Sequence, residues 1–321
     1  MEPTNDAIIK TSRLEKKFDQ ELAVSEVSFE VPRGKIFGFV GPSGSGKTTT
    51  IRMLIGYYAP TSGEVLVFNQ PPSKFSKETR ENIGYMPQLF VLYPNLSVWE
   101  NLNFSASLYG MSLFGKRKER LNELLEVVEL QGHEGKLTRE ISGGMQRRLS
   151  LAATLIHDPE LIFLDEPTAG VDPVLRRKFW DHFNQLRDQG HTLFVTTQYV
   201  SEAAYCDLVG VISEGNLLTV DTPKGLRYQA FGGDVVNMRT VDPLDFNIKY
   251  RLEELPFVRG KAVRTGDRGV RLVVDEAGTD IPKILDWVKD REIAVEFVEE
   301  DLPAFDDVFV ELIEQERNND A

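Results

Sequence analysis

Residues Gly41-Pro42-Ser43-Gly44-Ser45-Gly46-Lys47-Thr48 constrain this chain more than any other stretch. They satisfy G-x-x-x-x-G-K-[ST] at each specified position, between an apolar run, Ile36–Val40, and a helical pattern, Thr49–Leu54. Strand, glycine-rich turn and helix in that order form a phosphate cradle. Glycines let backbone N–H groups converge on anionic oxygens without interference from a Cβ, and the helix N-terminus adds its positive end. Residues 41–49, ending at Thr49, are the candidate phosphate contacts. Lys47 supplies a point charge to β- and γ-phosphates, and the Thr48 hydroxyl is a candidate Mg²⁺ ligand. A chance glycine-rich turn is the competing reading, and it does not require all three elements in register.

A second apolar run, Leu161–Leu164, ends in two adjacent acids, Asp165 and Glu166, followed by Pro167. Buried strands that deliver carboxylates at their C-terminal ends mark where open α/β sheets place ligand chemistry. Asp165 suits a Mg²⁺ shell through water, because Mg²⁺ keeps several waters and takes few carboxylates. Glu166 is then the candidate general base for an attacking water. Two exposed acids in an ordinary turn are the plainer alternative.

The strand candidates Lys35–Val40, Leu161–Leu164 and Thr192–Thr196 alternate with helical patterns through the first 225 residues. This predicts an α/β domain with a largely parallel sheet. Residues 97–131 are helical in period, and Leu121–Leu130 reads as an amphipathic helix. The basic cluster before it, Lys116, Arg117, Lys118 and Arg120, reads as a solvated helix start, with a lipid-headgroup or partner contact as the alternative. Around Phe231-Gly232-Gly233 the pattern resets. A strand (Val235–Arg239), a helix (Pro243–Leu255), two strands joined by residues 265–269, a helix (Ile281–Lys289) and a strand (Ile293–Val298) follow. The order β-α-β-β-α-β predicts a small ferredoxin-like α+β unit. A last helix puts Phe305, Val308, Phe309, Leu312 and Ile313 on one stripe. The expected domains are 1–230, with a helical subdomain at about 89–155, and 231–321.

The chain has 321 residues, which fits two domains at about 150 residues each. No run reaches the roughly 18 apolar residues that span a bilayer, and no signal peptide opens the sequence, so a membrane-spanning or secreted chain is not expected. Its single cysteine, Cys206, excludes an internal disulfide framework and fits a reducing compartment. Net charge is −13. Residues 234–321 hold 12 basic and 22 acidic residues, leaving 25 basic and 28 acidic before them, so the excess lies in the C-terminal part. That balance gives no general affinity for nucleic acid or anionic lipid, and no nucleic-acid partner is expected.

With these residues in place the chain resembles an ATP-binding-cassette (ABC) ATPase subunit, and further motifs fall in that family's order. Ile141-Ser142-Gly143-Gly144-Met145-Gln146 is similar to the signature L-S-G-G-Q, with Ile and Met at the first and fifth positions. In the family this segment binds the γ-phosphate of ATP held by the opposite subunit, which implies a head-to-tail dimer with two composite sites. The local chemistry agrees, since a serine and two glycines before a predicted helix (Gln146–Ile156) offer N–H donors at a positive helix end. Gln88, in Tyr85-Met86-Pro87-Gln88, resembles the Q-loop glutamine, which reaches Mg²⁺ and the attacking water. Phe18 resembles the aromatic that stacks on adenine, with a hydrophobic strand-edge residue as the alternative. Ala169-Gly170-Val171-Asp172-Pro173 resembles the D-loop and places Asp172 at the dimer interface.

One position departs from the family. Where a switch histidine usually follows a strand, this chain reads Val195-Thr196-Thr197-Gln198-Tyr199. Glutamine donates through its amide but carries no proton as a cation. Gln198 is therefore either a working substitute that holds the phosphate, or the mark of weakened hydrolysis. The T-T-Q-Y run followed by S-E-A, the S-G-G-M, and Leu302–Phe309 resemble the daunorubicin-resistance-type branch of ABC-2 exporters. The resemblance implies ATP and Mg²⁺ as ligands and Glu166, Gln198 and Lys47 as catalytic residues. It implies a second ATPase subunit, expected to be an identical copy. It also implies a separate transmembrane permease that would hold the chain at the cytoplasmic face of the membrane. The apolar run Leu89-Phe90-Val91-Leu92-Tyr93 is the candidate seat for a permease helix, with a buried connection as the alternative. A hydrolysis-poor half of a heterodimer and a non-transport ABC ATPase are the competing functions.

Overall fold

The computed structural model describes residues 7–89, 91–112, 116–245 and 247–319. They divide into two units, one up to Val220 and one from Asp221 onward.

The first unit is built on one nine-stranded sheet. Two long arms, β1 (Ala7–Phe18) and β2 (Glu21–Pro32), pair antiparallel. β3 (Ile36–Val40) then leads through the glycine-rich turn into α1 (Lys47–Leu54), and β4 (Ser62–Val67) returns antiparallel to β1. After α2 (Lys77–Glu81) and β5 (Ile83–Met86) come three helices, α3 (Val98–Leu108), α4 (Lys116–Val127) and α5 (Gly143–Thr154). The chain re-enters the sheet as β6 (Leu161–Asp165), crosses by α6 (Pro173–Asp188) to β7 (Thr192–Thr197), and ends in β8 (Leu208–Ser213) and β9 (Asn216–Asp221). The strand order is β4-β1-β2-β9-β8-β3-β7-β6-β5.

The pairs β5–β6, β6–β7, β7–β3 and β3–β8 are all parallel, as the alternating pattern predicts. Strands covered on both faces have no polar side to show, which is why β3, β6 and β7 are buried at every residue. Phe29, Phe37, Phe39 and Phe194 pack together on this sheet, with Phe37 and Phe194 stacked at 5.3 Å. On α6, Phe179, Trp180 and Phe183 are buried at i, i+1 and i+4, the stripe that seats the helix on the sheet.

The amphipathic helix expected at Leu121–Leu130 runs instead from Lys116 to Val127, so the basic cluster is its first turns and not a lead-in. The solvated reading fails for one member. Arg117 shares a face with Leu121, Leu124 and Leu125 and is buried with them. Its guanidinium donates to the carbonyls of Asn103 and Met111 and to Ser107 Oγ, tying α4 to α3.

In the second unit α7 (Pro223–Phe231) precedes β10 (Asp234–Thr240), α8 (Ile248–Glu253), β11 (Val258–Arg264), β12 (Gly269–Val274), α9 (Ala277–Lys289), β13 (Val295–Asp301) and α10 (Phe305–Asn319). The four strands form an antiparallel sheet in the order β11-β12-β10-β13, the ferredoxin-like arrangement. α8 is shorter than the expected Pro243–Leu255. The Leu244 N–H is bonded to the Asp267 carbonyl at 2.9 Å, which holds that residue on the β11–β12 turn and out of a helix. α9 starts four residues earlier than expected, and β13 runs later, to Asp301, because Asp301 pairs with Val235. α7, expected with the first domain, lies in this unit and packs on α10, with the Arg227 guanidinium 4.1 Å above the Phe305 ring.

Candidate functional site

The turn between β3 and α1 needs glycine at its last position. Gly46 caps α1 with φ +102°, and a Cβ there would lie 2.6 Å from the Ala23 carbonyl oxygen. Lys47 starts the helix and is buried, 4% exposed. Its ammonium donates to the carbonyls of Gly41 (2.9 Å) and Pro42 (2.8 Å) and lies 3.4 Å from Glu166 Oε1. Burial lowers the Lys47 pKa below the usual lysine range, although Glu166 and Asp165 oppose it. The cradle therefore already holds a cation facing inward.

Asp165 ends β6 with 1% exposure. Its Oδ1 accepts from Thr48 Oγ1 at 3.0 Å and from Thr196 Oγ1 at 2.7 Å. Burial pushes its carboxyl above the usual range, against the pull of those two hydroxyls. Its Oδ2 is buried and has no hydrogen-bond partner among the described residues. A lone carboxylate oxygen beside a threonine hydroxyl, at the mouth of a phosphate cradle, suits Mg²⁺, which takes one or two protein oxygens and completes its shell with phosphate and water. Among the described residues no cluster of three or more His, Cys, Asp or Glu could hold a metal by itself.

Glu166 follows at φ +48°, a left-handed conformation that a non-glycine residue adopts at a cost. Thr196 holds it there: the Glu166 N–H is within 3.0 Å of Thr196 Oγ1 and 3.1 Å of the Thr196 carbonyl. The turn aims the side chain at Lys47, and Gln88 Nε2 donates to Glu166 Oε2 at 3.0 Å. Thr196 is absent from the sequence-based set. Its only signal was a pair of threonines ending a strand, and β7 had to be known as the neighbour of β6, with Asp165 opposite Thr196, to give it meaning.

Phe18, Lys47, Thr48, Gln88 and Glu166 all line one cavity of about 590 Å³. Phe18 is 38% exposed, with Tyr58 edge-on at 5.2 Å and the Lys16 ammonium 5.1 Å from its ring centre. Ser142, Gly144, Met145 and Asp172 line a second cavity of about 360 Å³ that shares no residue with the first. There Ser142 caps α5 by accepting the Met145 N–H at 3.3 Å. This helix starts at Gly143, earlier than the expected Gln146, because that cap places both glycines in its first turn. Asp172 caps α6, accepting from Val174 and Leu175 at 3.0 Å, and these N–H groups hold its carboxyl below the usual range. Gln198 is exposed just past β7 and does not line the first cavity. Leu89 and Val91 are 81% and 75% exposed, which overturns the buried reading of this run; Phe90 lies outside the described residues.

A family model described as ABC transporter matches residues 24–169, a span that contains the cradle, Gln88, the S-G-G-M segment and both acids. Over 226 residues the chain is 41% identical to "Probable multidrug ABC transporter ATP-binding protein YbhF" of Escherichia coli (strain K12), covering 70% of this chain and 39% of that protein. It thus spans well under half the length of that relative. It is 36% identical over 252 residues to the Nod factor export ATP-binding protein I of Burkholderia pseudomallei (strain 1710b), covering 78% of this chain and 81% of that one. Among solved structures, an ATP binding subunit of an ABC transporter superposes with a TM-score of 0.63 at 26% identity, over 70% of this chain and 93% of the other.

Proposed function

Since this chain belongs to the ATP-binding proteins of ABC transporters, we propose that it hydrolyses ATP to drive a separate permease of the exporter class. One observation carries the reading: Lys47, Thr48, Asp165, Glu166 and Gln88, drawn from three separated segments, meet around one phosphate cradle. Adenine rests on the open side of Phe18. The phosphates replace Glu166 as the anionic partner of Lys47, which frees the carboxylate for a water. Glu166 takes a proton from that water as its oxygen bonds to the γ-phosphorus. The bond to the β-phosphate bridging oxygen breaks, leaving ADP and phosphate. Gln88 orients the carboxylate and the water. Thr48 and Asp165 would hold Mg²⁺, which would supply positive charge against the phosphates.

The separation of the two cavities supports a composite site. Ser142, Gly144 and Met145 line a cavity that shares no residue with that of Lys47, which favours a pair in which the γ-phosphate of one copy meets the α5 N-terminus of another, with Asp172 at the same seam. An identical second copy is the simplest partner. Closure then follows from differential affinity, because ATP bridges both segments only in the closed pair. Among the described residues no helix is long and apolar enough to cross a membrane. The permease would supply the span and hold this chain at the cytoplasmic face, and Leu89 and Val91 offer it an exposed apolar seat beside Gln88. The name of the Nod factor export relative favours export.

The test is phosphate release by the purified chain with Mg-ATP, alone and reconstituted with a multi-span membrane protein that co-purifies with it. Turnover that rises with the permease supports the reading; no turnover in either state overturns it. Gln198→Ala separates the two roles of that residue. If the amide donates to the γ-phosphate in the closed pair, turnover falls about tenfold, the worth of one hydrogen bond to a charged group. A wild-type rate would make Gln198 a bystander.

A further inference from the structure

Arg147 lies in α5, just beyond the S-G-G-M segment, and it is only 5% exposed. Two of its nitrogens are committed to backbone: Nη1 donates to the Gln88 carbonyl at 2.8 Å and Nη2 to the Ala169 carbonyl at 3.1 Å. Both acceptors belong to loops that meet Glu166. Gln88 sends its side-chain amide to Glu166 Oε2 at 3.0 Å, and the Ala169 N–H bonds the Glu166 carbonyl at 3.2 Å. Ala169 also leads directly to Asp172, in the second cavity. A guanidinium is a rigid planar fork, so it fixes the separation of two carbonyls as a flexible ammonium does not. Burial lowers the Arg147 pKa, while Glu166 and Asp165 favour its charged form. A positive charge thus sits behind the two acids.

We propose that Arg147 is a positioning residue for Glu166: its fork clamps the backbones of Gln88 and Ala169, so the general base is aligned only when α5 and the signature segment at its start are in place. This rests on the ATPase reading above. The consequence is mechanical coupling. When the N-terminus of α5 moves to meet the partner's γ-phosphate, the same helix carries the Gln88 and Ala169 loops with it. Glu166 is then readied in step with closure.

The experiment is a double-mutant cycle between Arg147→Met and Gln88→Ala, read in steady-state ATP turnover, with Arg147→Lys as the intermediate. Arg147→Met is expected to lower kcat about tenfold while KM for ATP stays within about twofold, since the residue does not line the cavity that holds Lys47 and Phe18. Arg147→Lys, able to reach one carbonyl, should fall between. Because part of the Arg147 effect passes through the Gln88 side chain, the double variant should lose less than the product of the two single losses. An unchanged kcat in both Arg147 variants, or effects that multiply with Gln88→Ala, would overturn the proposal, as would a loss confined to KM. Should Arg147→Met fail to fold, Arg147→Lys carries the same cycle. A wild-type chain without turnover overturns the functional reading and this inference together; an active wild type with indifferent variants overturns the inference alone.

Discussion

Lys47→Ala is expected to lower ATP turnover by at least about a hundredfold, the usual effect of removing a preorganised electrostatic contact in a water-excluded site. The residue is suited to so large a role because it is already desolvated: it is 4% exposed and its ammonium is held by two loop carbonyls and Glu166. The two carbonyls already fix the ammonium at the cradle, so little side-chain freedom is lost when phosphate replaces Glu166 beside it. Alanine removes the charge and leaves Glu166 without its cation. Phosphate release at saturating Mg-ATP is the measurement, with equilibrium nucleotide binding beside it. A rate equal to that of the wild type would refute the assignment of this loop as the phosphate site.

Glu166→Gln is expected to produce a different defect from a smaller chemical change. The amide keeps the shape and the contact with Gln88 but cannot accept the proton of water, so turnover should drop by about 10²–10⁴-fold. Binding is untouched, so the closed pair should form and persist. Size-exclusion with Mg-ATP should show a dimer for the variant and mostly monomer for the wild type, which hydrolyses its way out of the closed state. Only monomers in both would sink the composite-site model for the isolated chain. The two variants thus separate the phosphate contact from the proton acceptor, although their side chains are 3.4 Å apart in the resting protein.

Much of the site was legible where the chemistry is local. Gly41–Thr48 carry their meaning within one turn, and Leu161–Glu166 announce a buried strand with acids at its end. Helix limits were less legible, because propensity does not say what a residue will touch. Arg117 looked like a solvated cation, and the face it shares with Leu121 and Leu124 buried it against α3. Pro243 and Leu244 looked like the start of a helix, and a bond from Leu244 to the β11–β12 turn kept them out of it. Arg147 has no sequence signal beyond its type, and Thr196 only its place in a threonine pair ending a strand, since their partners lie on other elements.

By itself the sequence determined that this chain carries a strand-turn-helix of the kind that cradles phosphate and that two acids end another apolar run. These are properties of contiguous residues, set by glycine conformations, helix dipoles and apolar runs. Only the tertiary structure decided which groups meet. The parallel order β3-β7-β6 sets Thr196 opposite Asp165 and brings the end of β6 beside the start of α1. A left-handed Glu166 then turns its carboxylate onto Lys47, and α5 reaches over to hold Gln88. Distance along the chain hides such contacts, and packing a doubly covered sheet is what creates them.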